Sequence, residues 1–166
     1  AFMQEVLPPY RGTGFRSGRA PRSQASTIRV STKRYEVTPD LETGNDLIDS
    51  EHRMLFDAIN DLMNACSSGQ GRNKIGETAE FLADYVDKHF SDEEDLQRKN
   101  QYPHYQAHHD FHVNYKHKIR ELANSIRADG PSVKSLGEIN TQASVLINHI
   151  RHEDKRLAAF LKNGTE

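Results

Sequence analysis

Tryptophan is absent from this chain, cysteine occurs once, and no apolar run approaches the length of about eighteen residues that a membrane-crossing helix needs. A lone Cys66 excludes an internal disulfide and agrees with a reducing, cytoplasmic setting. Strict alternation of apolar and polar residues is also missing, which argues against strands. Apolar residues make up only 35% of the 166 positions and charged residues 28%. That length suits one domain with a real core. Against these shortages stands one surplus, nine histidines.

The net charge of -2 conceals an uneven distribution. Residues 1–34 carry Arg11, Arg16, Arg19, Arg22, Arg29, Lys33 and Arg34 with Glu5 as their one acid, together with Pro8, Pro9, Pro21 and several glycines. No hydrophobic period holds there, so this segment is read as a basic flexible arm or linker, ahead of a helical domain over 35–166. Arginine and serine enrichment also suits a targeting peptide, although the prolines and glycines spoil an amphipathic helix. Seven basic residues are by themselves only a weak signal for nucleic-acid binding.

Apolar residues recur at helical spacing over four stretches, 46–66, 73–99, 104–128 and 132–163. Breaks fall at Ser67-Ser68-Gly69, Tyr102-Pro103 and Asp129-Gly130-Pro131, and Asn45 or Asp46 can cap the first helix. Four amphipathic helices with short connections predict an all-α, antiparallel up-down-up-down bundle behind a lead-in loop over 35–45.

Within the apolar stripes sit polar residues that should not be there unpaired. His52 lies in the first stripe, His89 and Glu93 in the second, His108 and His112 in the third, and His149 in the fourth. Residues four apart share a helix face, so His89/Glu93 and His108/His112 each present a pair of ligand atoms. Buried ionised groups must be paired or bound to metal, so the set is read as a metal site. A single tetrahedral zinc would leave three of seven ligands unused. The acidic partner on the fourth helix is ambiguous. Glu153, four residues after His149, has the better spacing, whereas Asp154 is displaced by about 140° on an ideal helix and needs a local π-type widening to face inward.

The series Ile48-Asp49-Ser50-Glu51-His52, His89-Phe90-x-x-Glu93-Glu94, Tyr102-Pro103-x-Tyr105-x-x-His108-x-x-x-His112 and Asn148-His149-Ile150-x-x-x-Asp154 resembles the bacterial hemerythrins over about residues 35 to 162. The resemblance implies a non-haem di-iron centre with an oxo or hydroxo bridge. His108, His112 and His149 would ligate one iron, His52 and His89 the other, and Glu93 and Asp154 would bridge them. It also implies Asp154 over Glu153. O2 would bind reversibly as hydroperoxide at the iron with two histidines, for carriage, storage or delivery.

Di-iron oxidases of helical bundles use Glu-x-x-His pairs, and none occurs in this chain. Five imidazoles with two carboxylates donate less negative charge, which favours binding over turnover, so an enzyme is not expected. Phe56, Phe90, Phe111 and Ile150 are expected to line an apolar O2 pocket. His104, His109, His117 and His152 are read as ordinary core or surface residues, and Asp92, Glu94 and Asp95 as a solvated face. Many relatives carry Trp near positions 35 and 145 and Tyr at 157, where this chain has Tyr35, Val145 and Leu157. A second reading is an O2 or redox sensor whose arm joins it to a signalling partner, and a chain that starts at Ala1 behind a linker suits a piece of such a protein.

Overall fold

The computed structural model describes residues 34–164. The basic arm expected over 1–34 therefore lies outside the described residues, apart from Arg34.

Helix α1 spans Asp46–Ser67, α2 Arg72–Lys99, α3 Tyr105–Asp129 and α4 Val133–His149, and among the described residues there is no strand. Each boundary has a local cause. The Asn45 side chain accepts from the Ile48 N–H at 3.1 Å, capping α1. Ser132 accepts from the Ser135 N–H at 3.0 Å and Ser135 returns the bond to the Ser132 N–H at 2.7 Å, closing a capping box on α4. Gly130 ends α3 at φ +79°, a conformation that costs glycine nothing, and its N–H reaches the Ile126 carbonyl at 2.8 Å. Helix α2 packs against α1 and α3, and α4 against α1 and α3, as an antiparallel bundle requires.

The fourth predicted helix is not continuous. A π-helical turn over Ile150–Asp154 separates α4 from α5, Lys155–Asn163. The lead-in segment is built against this turn. A short 3-10 turn at Pro39–Leu41 presents Asp40, whose carboxylate accepts from Arg151 at 2.9 Å and whose carbonyl accepts from the Lys155 ammonium at 2.9 Å. Asn60 of α1 clamps the loop further back, accepting from the Tyr35 N–H at 3.0 Å and donating to the Tyr35 carbonyl at 2.7 Å.

Two apolar clusters form the core. The larger joins Leu55, Ile59 and Leu62 of α1 to Leu82, Val86 and Phe90 of α2, Tyr115, Ile119 and Ile126 of α3, and Ile139, Ala143 and Leu146 of α4. The smaller holds Ile48, Tyr102 and Leu157, with Leu96, Phe160 and Leu161 packed against it. Between them lies a polar layer. His52 falls between Ile48 and Leu55, His89 and Glu93 between Val86 and Leu96, His108 and His112 between Tyr102 and Tyr115, and His149 and Asp154 between Leu146 and Leu157. Apolar packing above and below thus seals the polar groups from water.

Asp49 organises the entry to α1 from a buried position, accepting from the Thr43 N–H at 2.8 Å, the Thr43 hydroxyl at 2.7 Å and the Gly44 N–H at 3.0 Å. The substitution Asp49→Ala strands these donors, so it is expected to lower the unfolding free energy by about 1–3 kcal/mol. A urea titration followed by circular dichroism checks this; an unmoved midpoint would mean that the loop is held by other contacts.

Candidate metal centre

Five imidazoles and two carboxylates converge in the polar layer, each with no more than 4% exposure. All five rings turn Nε2 inward. The oxygens of Glu93 divide between two histidine sets: Oε1 lies 3.1 Å from His89 and 3.6 Å from His52, while Oε2 lies 3.3 Å from both His108 and His112. Asp154 divides in the same way, with Oδ2 3.0 Å from His52 and Oδ1 3.0 Å from both His108 and His149. Two ligand groups result, Glu93 with His108, His112 and His149, and His52, His89, Glu93 and Asp154.

The π turn explains how Asp154 takes part. One extra residue in that turn moves Asp154 into the direction an α-helix would give Glu153, so Asp154 is fully buried and Glu153 is half-buried at the surface side. Spacing on an ideal helix, which favours Glu153, is corrected here by the backbone.

Whether this layer suits a metal can be judged from its orphaned atoms. Both oxygens of Glu93 and of Asp154, and Nε2 of His52, His89 and His112, are buried without a hydrogen-bond partner. The Nε2 atoms of His108 and His149 stand 3.0 Å apart. Buried polar atoms without partners are costly, and here they are the atoms that point at one another. Imidazole nitrogen and carboxylate oxygen are a donor set for first-row metals such as iron and zinc.

Sequence reasoning missed a second layer of charge. Glu51 is buried and accepts from His89 Nδ1 at 3.0 Å, with the Lys88 ammonium 3.7 Å from its other oxygen. Glu94, read as part of a solvated face, is also buried; it accepts from His112 Nδ1 and lies 3.1 Å from His109 Nδ1, with Arg98 at 3.8 Å. Each carboxylate fixes a tautomer and leaves Nε2 free for a metal. The signal was present, since each acid is adjacent in sequence to a ligand candidate, but helical periodicity assigns it to the flank.

Aromatic rings hold the imidazoles from their faces. Phe90 stacks on His112 and Phe111 on His149, both at 3.8 Å between ring centroids. Phe56, Phe90 and Ile150 are fully buried, whereas Phe111 is half-buried and faces a cleft of about 640 Å3 between α3 and α4, lined also by Val145, Asn148, His149 and His152.

Burial opposes charge on His52, His89, His108, Glu93 and Asp154, yet neighbours of opposite sign prevail. Against its desolvation, the charge of Glu93 and the hydrogen bond to Glu51 hold His89 up at about 10. His108 is held at about 9 by Asp154 and Glu93, also against burial. Glu93 and Asp154 stay well below the usual carboxylate range, opposed by burial but held there by the surrounding histidines. Glu94 is drawn down to about 2 by His112 and His109. In the metal-free chain the contribution of His89 and His108 to stability is complete below the ordinary value of 6.5 and is lost as pH rises through about 9 to 10. That of Glu94 is present above 4.5 and is lost as pH falls towards about 2.

Metal must displace these protons, so uptake should release protons and tighten with rising pH while the metal-free fold weakens above pH 9. A pH indicator in weakly buffered solution and melting curves at several pH values read the two trends. Glu51→Gln and Glu94→Gln are each expected to weaken metal binding by about 10–100-fold, measured by competition with a chelator.

The profile of the Hemerythrin HHE cation binding domain matches residues 43–161. The chain is 34% identical over 124 residues to a bacteriohemerythrin of Stenotrophomonas maltophilia, covering 74% of this chain and 78% of that one. It is 25% identical over 122 residues to a myohemerythrin of Theromyzon tessulatum, covering 72% of this chain and 88% of the relative. Crystal structures of hemerythrin variants superpose with a TM-score of 0.65 at 28% identity, over 72% of this chain and 89% of theirs. With the profile spanning most of the described residues and the relatives covered along most of their length, the chain belongs to the hemerythrin family.

Proposed function

We propose that this chain is a non-haem di-iron protein that binds O2 reversibly, serving carriage, storage or delivery in the cytoplasm. The observation that carries the reading is the division of each shared carboxylate, one oxygen toward His52 and His89 or His52 alone, the other toward the remaining set. On this reading His108, His112 and His149 hold one iron, His52 and His89 the other, and Glu93 and Asp154 hold both. When bound, the two irons supply the two electrons that O2 accepts on binding and returns on release.

The chain's own residues supply everything around that exchange. Two apolar clusters exclude bulk solvent from above and below. Phe90 and Phe111 lock the imidazole planes of His112 and His149, and Glu51 and Glu94 fix the tautomers of His89 and His112. Phe56, Phe90, Phe111 and Ile150 would give the metal site apolar surroundings that keep water and its protons away. Five imidazoles with two carboxylates leave a donor set of low negative charge, which disfavours highly oxidised iron and supports binding over turnover. The free, half-buried thiol of Cys66 agrees with a reducing compartment.

The test is to load iron anaerobically, reduce, and record metal content and the visible spectrum through a cycle of O2 addition and removal. One iron per histidine set and a band that appears and disappears reversibly are expected; irons that oxidise once and never return would overturn carriage in favour of redox sensing or catalysis. His112→Ala is expected to abolish the band. Asp154→Asn should remove at least one iron while Glu153→Gln keeps both, and the opposite result would reassign the shared ligand on the last helix.

A further inference from the structure

Gln97 is fully buried, and among the described residues neither its amide nitrogen nor its amide oxygen has a hydrogen-bond partner. It lies on α2 four residues after Glu93, one turn further along the same face. Side chains on a helix lean toward its N-terminus, so the Gln97 amide lies over the turn that carries Glu93. The layer above the metal ligands also holds the buried Tyr102 hydroxyl, to which the Gln97 amide makes no hydrogen bond, and Ile48 of α1 and Leu157 of α5 have no polar group to offer it. The chain has thus buried both a donor and an acceptor one helical turn from Glu93, whose oxygens, like those of Asp154, are equally without hydrogen bonds.

An amide in such a place needs a partner that is not protein. Its Nε2 requires an acceptor and its Oε1 a donor, and the carboxylates beyond it require donors. Water can both accept from Nε2 and donate, each molecule giving one hydrogen to Oε1 and one to a carboxylate, whereas an anion satisfies Nε2 alone and would be repelled by Glu93 and Asp154. We infer that Gln97 is the polar floor of the metal pocket: its side chain binds internal water lodged against Glu93 and Asp154 and, through it, positions these carboxylates for the two metals. The inference rests on the metal-site reading above. Gln97 is a positioning residue, since it acts on the metals through the shared carboxylates.

The floor gives the carboxylates a hydrogen bond on the side away from the metals. It thereby restricts their rotation and keeps one oxygen directed to each histidine set. Replacing the amide by a thioether of similar length removes both hydrogen-bonding atoms and leaves the packing nearly unchanged.

The experiment uses Zn2+, which is diamagnetic and has no redox chemistry, as the metal probe on the intact chain. In the wild-type protein loaded with Zn2+, the side-chain amide protons of Gln97 are expected to show a cross-peak to a long-lived water and slow exchange. Gln97→Met is expected to bind Zn2+ at least about tenfold more weakly while its metal-free melting temperature stays equal or rises. Absence of the water cross-peak in the zinc-loaded wild type overturns the proposal, and this arm needs no variant to fold. Equal zinc affinity in Gln97→Met also overturns it and leaves the metal site intact. A wild-type chain that takes up no metal overturns both readings, so the two failures are distinct.

Discussion

Two carboxylates without solvent exposure stand at the centre of this bundle, and the charge of Glu93 and Asp154 is what the surrounding structure must answer. A buried carboxylate is tolerated only with compensating positive charge or hydrogen bonds. Four helices and the π turn accordingly each direct at least one imidazole or acid inward, and the apolar clusters above and below form a lid and base for that layer. Without metal the compensation comes from protonated imidazoles, and with metal from cations. Protons and metal ions therefore compete for one set of positions. Glu51 and Glu94 extend the pattern outward, each lying between a buried imidazole and an exposed cation, Lys88 or Arg98. Charge alternates in sign from the centre to the surface along both routes.

Much of this was legible in the sequence because the α-helix projects four-residue spacings onto one face. His89 with Glu93, and His108 with His112, needed nothing beyond that geometry, and the four helices followed from the same period. The resemblance to hemerythrins settled what spacing left open, Asp154 against Glu153. What stayed illegible has specific causes. A π turn adds one residue without a break in hydrophobicity, so α-periodicity reads through it. Glu94 sits about 100° from Glu93 on the helix, which looks like the flank, yet His112 and His109 draw it into the interior. Gln97 occupied a stripe position among apolar residues and was passed over because an amide carries no charge to flag it.

The departures from many relatives also have physical counterparts. Tyr35 places its hydroxyl against Asn140 of α4, while its backbone is clamped by Asn60 of α1, so the lead-in segment ties two helices together. Val145 leaves open the cleft between α3 and α4, whose floor is Phe111 stacked on His149. His149 accordingly has the highest exposure of the five inward-facing histidines, at 4%. Leu157 contributes only apolar surface above the ligands.

The π turn decides more than which acid faces inward. A single inserted residue advances the helical phase by about 100°, so every position from Lys155 onward is rotated relative to a straight continuation of α4. Leu157 and Phe160 meet Ile48 and Tyr102 only in that rotated phase. The backbone irregularity that delivers Asp154 also sets the packing of the last helix, and the lead-in turn holds both through Arg151 and Lys155. Loss or gain of one residue between His149 and Asp154 would therefore act as a frame change in three dimensions, turning the apolar face of α5 outward at the same moment that it removes the acid from the centre.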